Sequence, residues 1–293
     1  MVLDRTDTQY ALRNTSSRTD LRFWFFKRSM PLTQLPSSVY RAIIRREVTT
    51  TLHNQFVQIF AVLLLAGGLA TALLSGHPEA VPFGLLLLFL YVVPLFGLLI
   101  GVSAAHEEHD ERPFLWSHPV PRSAFVLGKT ATLVAALAVV LLLPLVPAVF
   151  VMSSAGALAL LWGLGSALVV VSVSAGVAVG QYTATRARGL MAALVVWFGA
   201  FALYDTLALV GAGVEALQGW PMLWVGLLLL NPVDAVRLAG LFGLENVPFS
   251  APGKVAWISD LATWLPAWVA VLTVIWAALL LTFACRRLRR MDL

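Results

Sequence analysis

The chain has 293 residues, 59% of them apolar and only 12% charged, with a formal net charge of +5 and a mean hydropathy of +0.85. Several apolar runs of about 18 residues or more exclude a soluble domain and indicate an all-α integral membrane protein. The basic balance does not indicate nucleic acid, because Lys and Arg flank apolar runs instead of covering a polar surface, and the single Cys285 excludes an intrachain disulfide and a multi-cysteine metal site.

Residues 1–36 are polar, rich in Ser, Thr and Arg, and without a hydrophobic period, which predicts a loosely ordered cytoplasmic tail. Within it Phe23, Trp24, Phe25 and Phe26 precede Lys27 and Arg28, a pairing of rings and cations that suits lipid headgroups. From Ser37, a candidate N-cap, Tyr40, Ile43, Ile44 and Val48 recur at helical spacing opposite Arg41, Arg45 and Arg46. Residues 37–55 are therefore predicted to form an amphipathic elbow helix in the cytoplasmic headgroup layer.

Six spans are expected near 56–74, 82–105, 130–152, 155–181, 189–211 and 262–284, each long enough to cross about 30 Å of hydrocarbon. Of the 20 Lys and Arg, 18 fall on one side of such a bundle, leaving Arg237 and Lys254 for the other. That asymmetry predicts both termini in the cytoplasm and an even number of crossings. The segment 212–261 is too long for a plain loop and too mixed for two ordinary crossings. It is expected to be re-entrant or to lie along the outer surface, although a pair of tilted crossings would also preserve parity. Trp220, Trp224, Trp257 and Trp264 near its ends suit an interfacial aromatic belt.

Gly97 and Gly101, and Gly176 and Gly180, have the spacing that lets helix backbones approach closely, either within the chain or between copies. Pro94, Pro144 and Pro147 are expected to kink their spans, since each removes a backbone donor and crowds the preceding turn. Tyr204 and Asp205 form the polar pair predicted inside a span, toward its outer end. So sparse a polar interior argues against an ion-coupled secondary transporter.

Between spans two and three lies a charged island, 106–129, carrying Glu107, Glu108, Asp110, Glu111, Arg112, Arg122 and Lys129. It must face water. Gly128-Lys129-Thr130 ends like a phosphate loop, but Ser123 stands where the first glycine belongs and an apolar span follows, so ATP is not bound here. His106 and His109 lie one turn apart beside acids, yet lack the spacing of a recognised zinc helix, and a solvated charged turn is the expected reading. The spans hold no Gly-x-Ser-Gly, no His and no paired aspartates, so intramembrane proteolysis has neither nucleophile nor base. No metal site and no enzymatic activity are assigned.

The island leads into Leu115-Trp116-Ser117-His118-Pro119-Val120-Pro121-Arg122, with Gly128-Lys129 opening the next span. This resembles the ABC-2 type transporter permeases, whose pattern runs through acidic residues, a Leu-Leu-Ser-x-Pro-Val-x-Arg-like core and Gly-Lys. Asp110 to Arg112 replace the usual Gly-Thr. The resemblance covers about residues 38–290. It implies a type V exporter-like fold of six spans behind an elbow helix, a homodimer, and a separate cytoplasmic ATPase that carries ATP and Mg while this chain binds no cofactor. It also implies that Glu107, Glu108, Arg112, Phe114, Leu115, Trp116, Pro119 and Arg122 couple the permease to that ATPase in the bacterial inner membrane. Tyr204 to Leu209 and Leu230 to Leu238, the latter with Asn231, Asp234 and Arg237, resemble the NosY-type permeases of nitrous oxide reductase maturation. That narrower resemblance implies assembly of a copper-sulfur centre with a NosD-like periplasmic partner, engaged by Asn231, Asp234 and Arg237 unless these pin the outer segment. The alternative is an exporter of lipid, polysaccharide or drug-like cargo, or a non-transporting membrane scaffold.

Overall fold

A computed structural model describes residues 54–115, 122–152, 154–204, 206, 210, 213, 221–244 and 256–290, and of 108–115, 122–125, 201–202, 221–225, 256–262 and 289–290 the backbone alone. The predicted tail 1–36 and nearly all of the elbow 37–55 lie outside these residues, as do Trp116, Pro119, Asp205 and Trp220. Within them every regular element is helical.

Helix α1, Gln55–Leu74, begins at Asn54, whose Oδ1 accepts from the Phe56 N–H at 2.9 Å and so satisfies one of the donors that a helix start leaves unpaired. A 3-10 turn at Pro78–Ala80 leads into α2, Val81–Leu115, whose 35 residues span about 52 Å at 1.5 Å per residue. Helices α3, Arg122–Val140, and α4, Leu145–Val149, follow. Ser154 caps α5, Ala155–Tyr182, and Thr185 caps α6, Arg186–Phe198, which runs on into a π turn, Gly199–Leu203. Two short helices, α7 at Pro221–Leu230 and α8 at Pro232–Leu244, precede α9, Ala256–Arg290.

Among the described residues four helices are long and apolar enough to cross a membrane: Gln55–Leu74, Pro78–Glu107, Ala155–Tyr182 and Thr263–Leu288. The predicted third and fifth spans are interrupted instead. The third breaks between Val140 and Leu145, at Pro144, where Leu142 N–H turns back to the Val139 carbonyl at 3.0 Å. Ala138 loses its usual acceptor role in this turn, and the Trp162 indole N–H of α5 donates to its oxygen at 2.9 Å. A freed carbonyl in an apolar surround needs such a donor. The fifth loosens into the π turn after Phe198. Pro94, by contrast, leaves α2 unbroken.

Lipid is as apolar as leucine, so close packing and hydrogen bonding must hold such a bundle together. Helix α2 is its centre: 61% of its apolar window is buried, against 22% for α1 and for α9. Its tightest neighbour is α5. A methyl added at Gly97 would strike Ser172, one at Gly101 would lie 2.6 Å from the Val173 oxygen, one at Gly176 would strike the Leu98 carbonyl, and one at Gly180 would lie 2.6 Å from Ala105 Cβ. Both glycine pairs predicted from spacing thus serve one contact within the chain. Around it Phe60, Phe89, Leu90, Leu137, Leu141, Leu161 and Leu265 form the buried core, with the Phe60 and Phe96 rings 5.5 Å apart.

Candidate functional site

Two polar clusters stand at different depths of this apolar body. The inner one surrounds Ser103 and Glu107 of α2, at the start of that helix's charged stretch. The predicted boundary of span two at 105 is not a helix end: α2 continues through His106 and Glu107 to Leu115, so the first half of the charged island is a helical extension of the central span. Arg122 is the first residue of α3. Glu108, Arg112, Phe114 and Leu115 therefore lie on the α2 extension and Arg122 at the start of α3, while the link holding Trp116 and Pro119 falls outside the described residues.

At the base of the extension the Arg186 guanidinium donates from Nη2 to Ser103 Oγ at 2.7 Å, and Ser103 Oγ donates to Glu107 Oε1 at 3.2 Å. Asn54 Nδ2 reaches Glu107 Oε1 at 3.3 Å and Ser103 Oγ at 3.5 Å, so the side chain that caps α1 also ties it to α2. The Arg186 guanidinium carbon stands 5.7 Å from the Phe56 ring centroid, adding a cation–π contact to the first turn of α1. One turn of α2 from Ser103, His106 Nε2 lies 3.1 Å from Thr183 Oγ1. The Thr183 hydroxyl is directed to the Val179 and Gly180 carbonyls at 3.2 and 3.3 Å, which leaves its oxygen to accept from the His106 ring N–H. Gly189 seats α6 against that pair, for a methyl there would come within 3.0 Å of His106 Nε2 and 2.9 Å of Thr183 Oγ1. Of these residues the sequence reading singled out Glu107, and His106 only as a weak metal ligand. The signal it passed over was a cation, Arg186, in the first turn of a helix, where the macrodipole disfavours one.

The outer cluster surrounds the break between α7 and α8. Asn231 Oδ1 caps α8 by accepting from Val233 N–H at 3.1 Å, while its Nδ2 donates to Asp234 Oδ2 at 2.7 Å and to the Ala200 carbonyl in the π turn at 3.1 Å. Asp234, 2% exposed, also holds Arg237 Nη1 at 2.9 Å from Oδ1. The last carbonyls of α7 have no partners within the helix. Tyr204 Oη donates to Leu227 O, Trp268 Nε1 to Leu229 O at 3.0 Å and Trp276 Nε1 to Leu230 O at 3.1 Å. Trp276 lies well inside the apolar stretch Thr263–Leu288, whereas the far end of α8 packs Gly240 on Leu86 and Gly243 on Leu160, near the starts of α2 and α5. The α7–α8 pair thus dips beside α9 with Asn231 at its tip. The predicted residues Tyr204, Asn231, Asp234 and Arg237 are brought together; Asp205 lies outside the described residues.

The comparisons with known proteins agree with this architecture. The family model described as ABC-2 family transporter protein matches residues 15–293. The chain is also 31% identical over 277 residues to the probable ABC transporter permease protein NosY of Pseudomonas aeruginosa strain PAO1, a match covering 85% of this chain and 97% of that protein. A multi-pass helical body with a charged helical extension, matched along nearly its whole length, belongs to the ABC-2 family of ABC transporter permeases.

Proposed function

We propose that this chain is the permease subunit of an ATP-driven complex that matures the copper-sulfur centre of nitrous oxide reductase, working as a homodimer with a cytoplasmic ATPase and a NosD-like periplasmic partner. The observation that carries the proposal is the likeness to the probable NosY permease, which runs along 97% of that protein.

Six crossings would be made by α1, α2, the broken pair α3–α4, α5, α6 with its π turn, and α9, behind an elbow at 37–55. The inner membrane would hold both termini on its cytoplasmic side. This arrangement is supported by the gathering of Asn54, Glu107 and Arg186 at one end of the bundle, with Arg287 of α9 stacked 5.5 Å from the Tyr182 ring at the end of α5. The dipping α7–α8 pair would then be a re-entrant hairpin entered from the outside, presenting its distal parts to the periplasmic partner. Its buried Asn231 and Asp234 pin the hairpin, leaving the partner's contacts to other residues of the segment.

In mechanism, ATP binding draws two ATPase subunits together beneath the membrane, and these hold the 106–129 segments by Glu108, Arg112 and Arg122 around an apolar anchor of Phe114, Leu115 and Trp116, because buried aromatics dominate interface energetics. These segments shift the spans between two states, which requires the ATPase to bind the two states unequally.

The test is genetic and spectroscopic. A strain lacking this chain should yield nitrous oxide reductase without its copper-sulfur absorption, restored by the wild-type chain and not by the Trp116→Ala, Arg122→Glu double variant. A fully loaded reductase from the deletion strain would instead favour export of lipid, polysaccharide or drug-like cargo.

A further inference from the structure

We infer that Arg186, Ser103 and Asn54 form a transmission joint, which positions the α2 extension so that force applied to it moves α1, α2 and α6 as one body. The inference rests on the reading that an ATPase acts on that extension.

Beyond Glu107 the backbone of α2 continues as helix to Leu115. A helix held only by its own backbone at such a point can bend there, and displacement of its tip is then lost before reaching the spans. The polar contacts converge at the base of this extension: Ser103 is fully buried, and its hydroxyl is the hub between Arg186 of α6 at 2.7 Å, Glu107 at 3.2 Å and Asn54 of α1 at 3.5 Å. The Glu107 oxygen is turned toward the bundle by Ser103 and Asn54. This geometry places Glu107 in the joint and leaves docking to the residues beyond it.

Arg186 gives a second reason. Its cation sits at the amino end of α6, where the helix dipole opposes it and no acidic residue of the first turn offsets it. Its contacts are instead to neighbouring helices: Ser103 on α2 and the Phe56 ring on α1. A residue costly to its own helix and bound to two others serves their relative placement. The adjacent His106–Thr183 bond, closed over by Gly189, fixes α6 to the same turn of α2. In a low-dielectric surround these bonds act together, since each polarises the next.

The experiment uses the whole chain copurified with its ATPase and reconstituted in lipid. Asn54→Asp retains an equally good helix cap but removes the amide donor and sets a second carboxylate beside Glu107. Arg186→Gln removes the charge from the hub. Both variants should fold to a monodisperse chain that binds the ATPase in wild-type ratio, while permease-stimulated ATP hydrolysis falls about tenfold, the effect of losing a hydrogen bond to a charged group from a two-state coupling. Arg186→Lys should recover most of the stimulation. Spin labels on Leu74→Cys and Leu127→Cys, in a Cys285→Ser background, should lose their nucleotide-dependent distance change in Asn54→Asp. Wild-type stimulation in both variants, with a wild-type distance change in Asn54→Asp, would overturn the joint while leaving the functional reading intact. Absence of stimulation by the wild-type chain would overturn the functional reading and the joint with it.

Discussion

Asn231 and Trp276 carry a duty that neither residue type announces: each supplies a hydrogen to a backbone carbonyl where a span is irregular, Asn231 to Ala200 in the π turn and Trp276 to Leu230 at the end of α7. Trp162 does the same for Ala138 at the break in the third span. Inside hydrocarbon water cannot take over that duty, so the loss of each donor has a cost. Trp276→Phe preserves the packing and strands the Leu230 oxygen; it should lower stability by about 1 kcal/mol, at the low end of an unmade hydrogen bond because the membrane-unfolded state also finds partners. Thermal unfolding in detergent checks this. Asp234→Leu should cost more, because it leaves Arg237 without its carboxylate and Asn231 without one acceptor. About 2 kcal/mol is expected, below the full penalty for a broken buried pair since Arg237 remains 27% exposed. At this scale the sequence exposed the charged members, Asp234 and Arg237, because charge within an apolar chain is conspicuous. It did not expose Trp162 or Trp268, because a tryptophan hydrogen-bonded to a carbonyl and one resting at the headgroups look the same in sequence.

Helix α2 gathers the consequences at the level of elements. It is at once the most buried span, the partner of α5 through four glycines, and the stem of the charged extension. Gly176→Val should therefore do more than loosen a contact, for its side chain would meet the Leu98 carbonyl, a backbone atom that cannot rotate away. Overpacking at such a site costs about 1–3 kcal/mol, and the expected outcome is a lower melting temperature with the chain still monodisperse; aggregation-free but unshifted melting would show that α2 and α5 can separate. The glycine spacing was legible, but its partner was not, since the same four-residue step serves helices of one chain or of two. Nor was the end of α2. A change from apolar to charged residues at His106 marks where lipid ends, and the helix has no reason to stop there, because Glu, Arg and Leu all sustain it. Pro144 lies at a helix break while Pro94 lies in an unbroken helix, a difference that the presence of proline by itself does not announce.

For the molecule as a whole, charge asymmetry and the clustering of Asn54, Glu107, Arg186 and Arg287 at one end make a single prediction about orientation. In the Cys285→Ser background, His118→Cys should react with a membrane-impermeant maleimide only in inside-out vesicles, and Val247→Cys only in intact spheroplasts. The reverse pattern would put the extension outside the cell and end the coupling assignment.

Composition alone determined that the chain lives in a bilayer and that its spans are helical, since these follow from transfer of apolar and backbone polar groups and require no knowledge of neighbours. The motif residues determined the family. Only the tertiary structure decided which glycines meet, that the island is half a continuation of α2, and that Arg186 and Asn54, 132 positions apart in the numbering, share Glu107's surroundings through Ser103. The reason is that a hydrogen bond between helices depends on their register and crossing, which no local pattern along a single helix encodes.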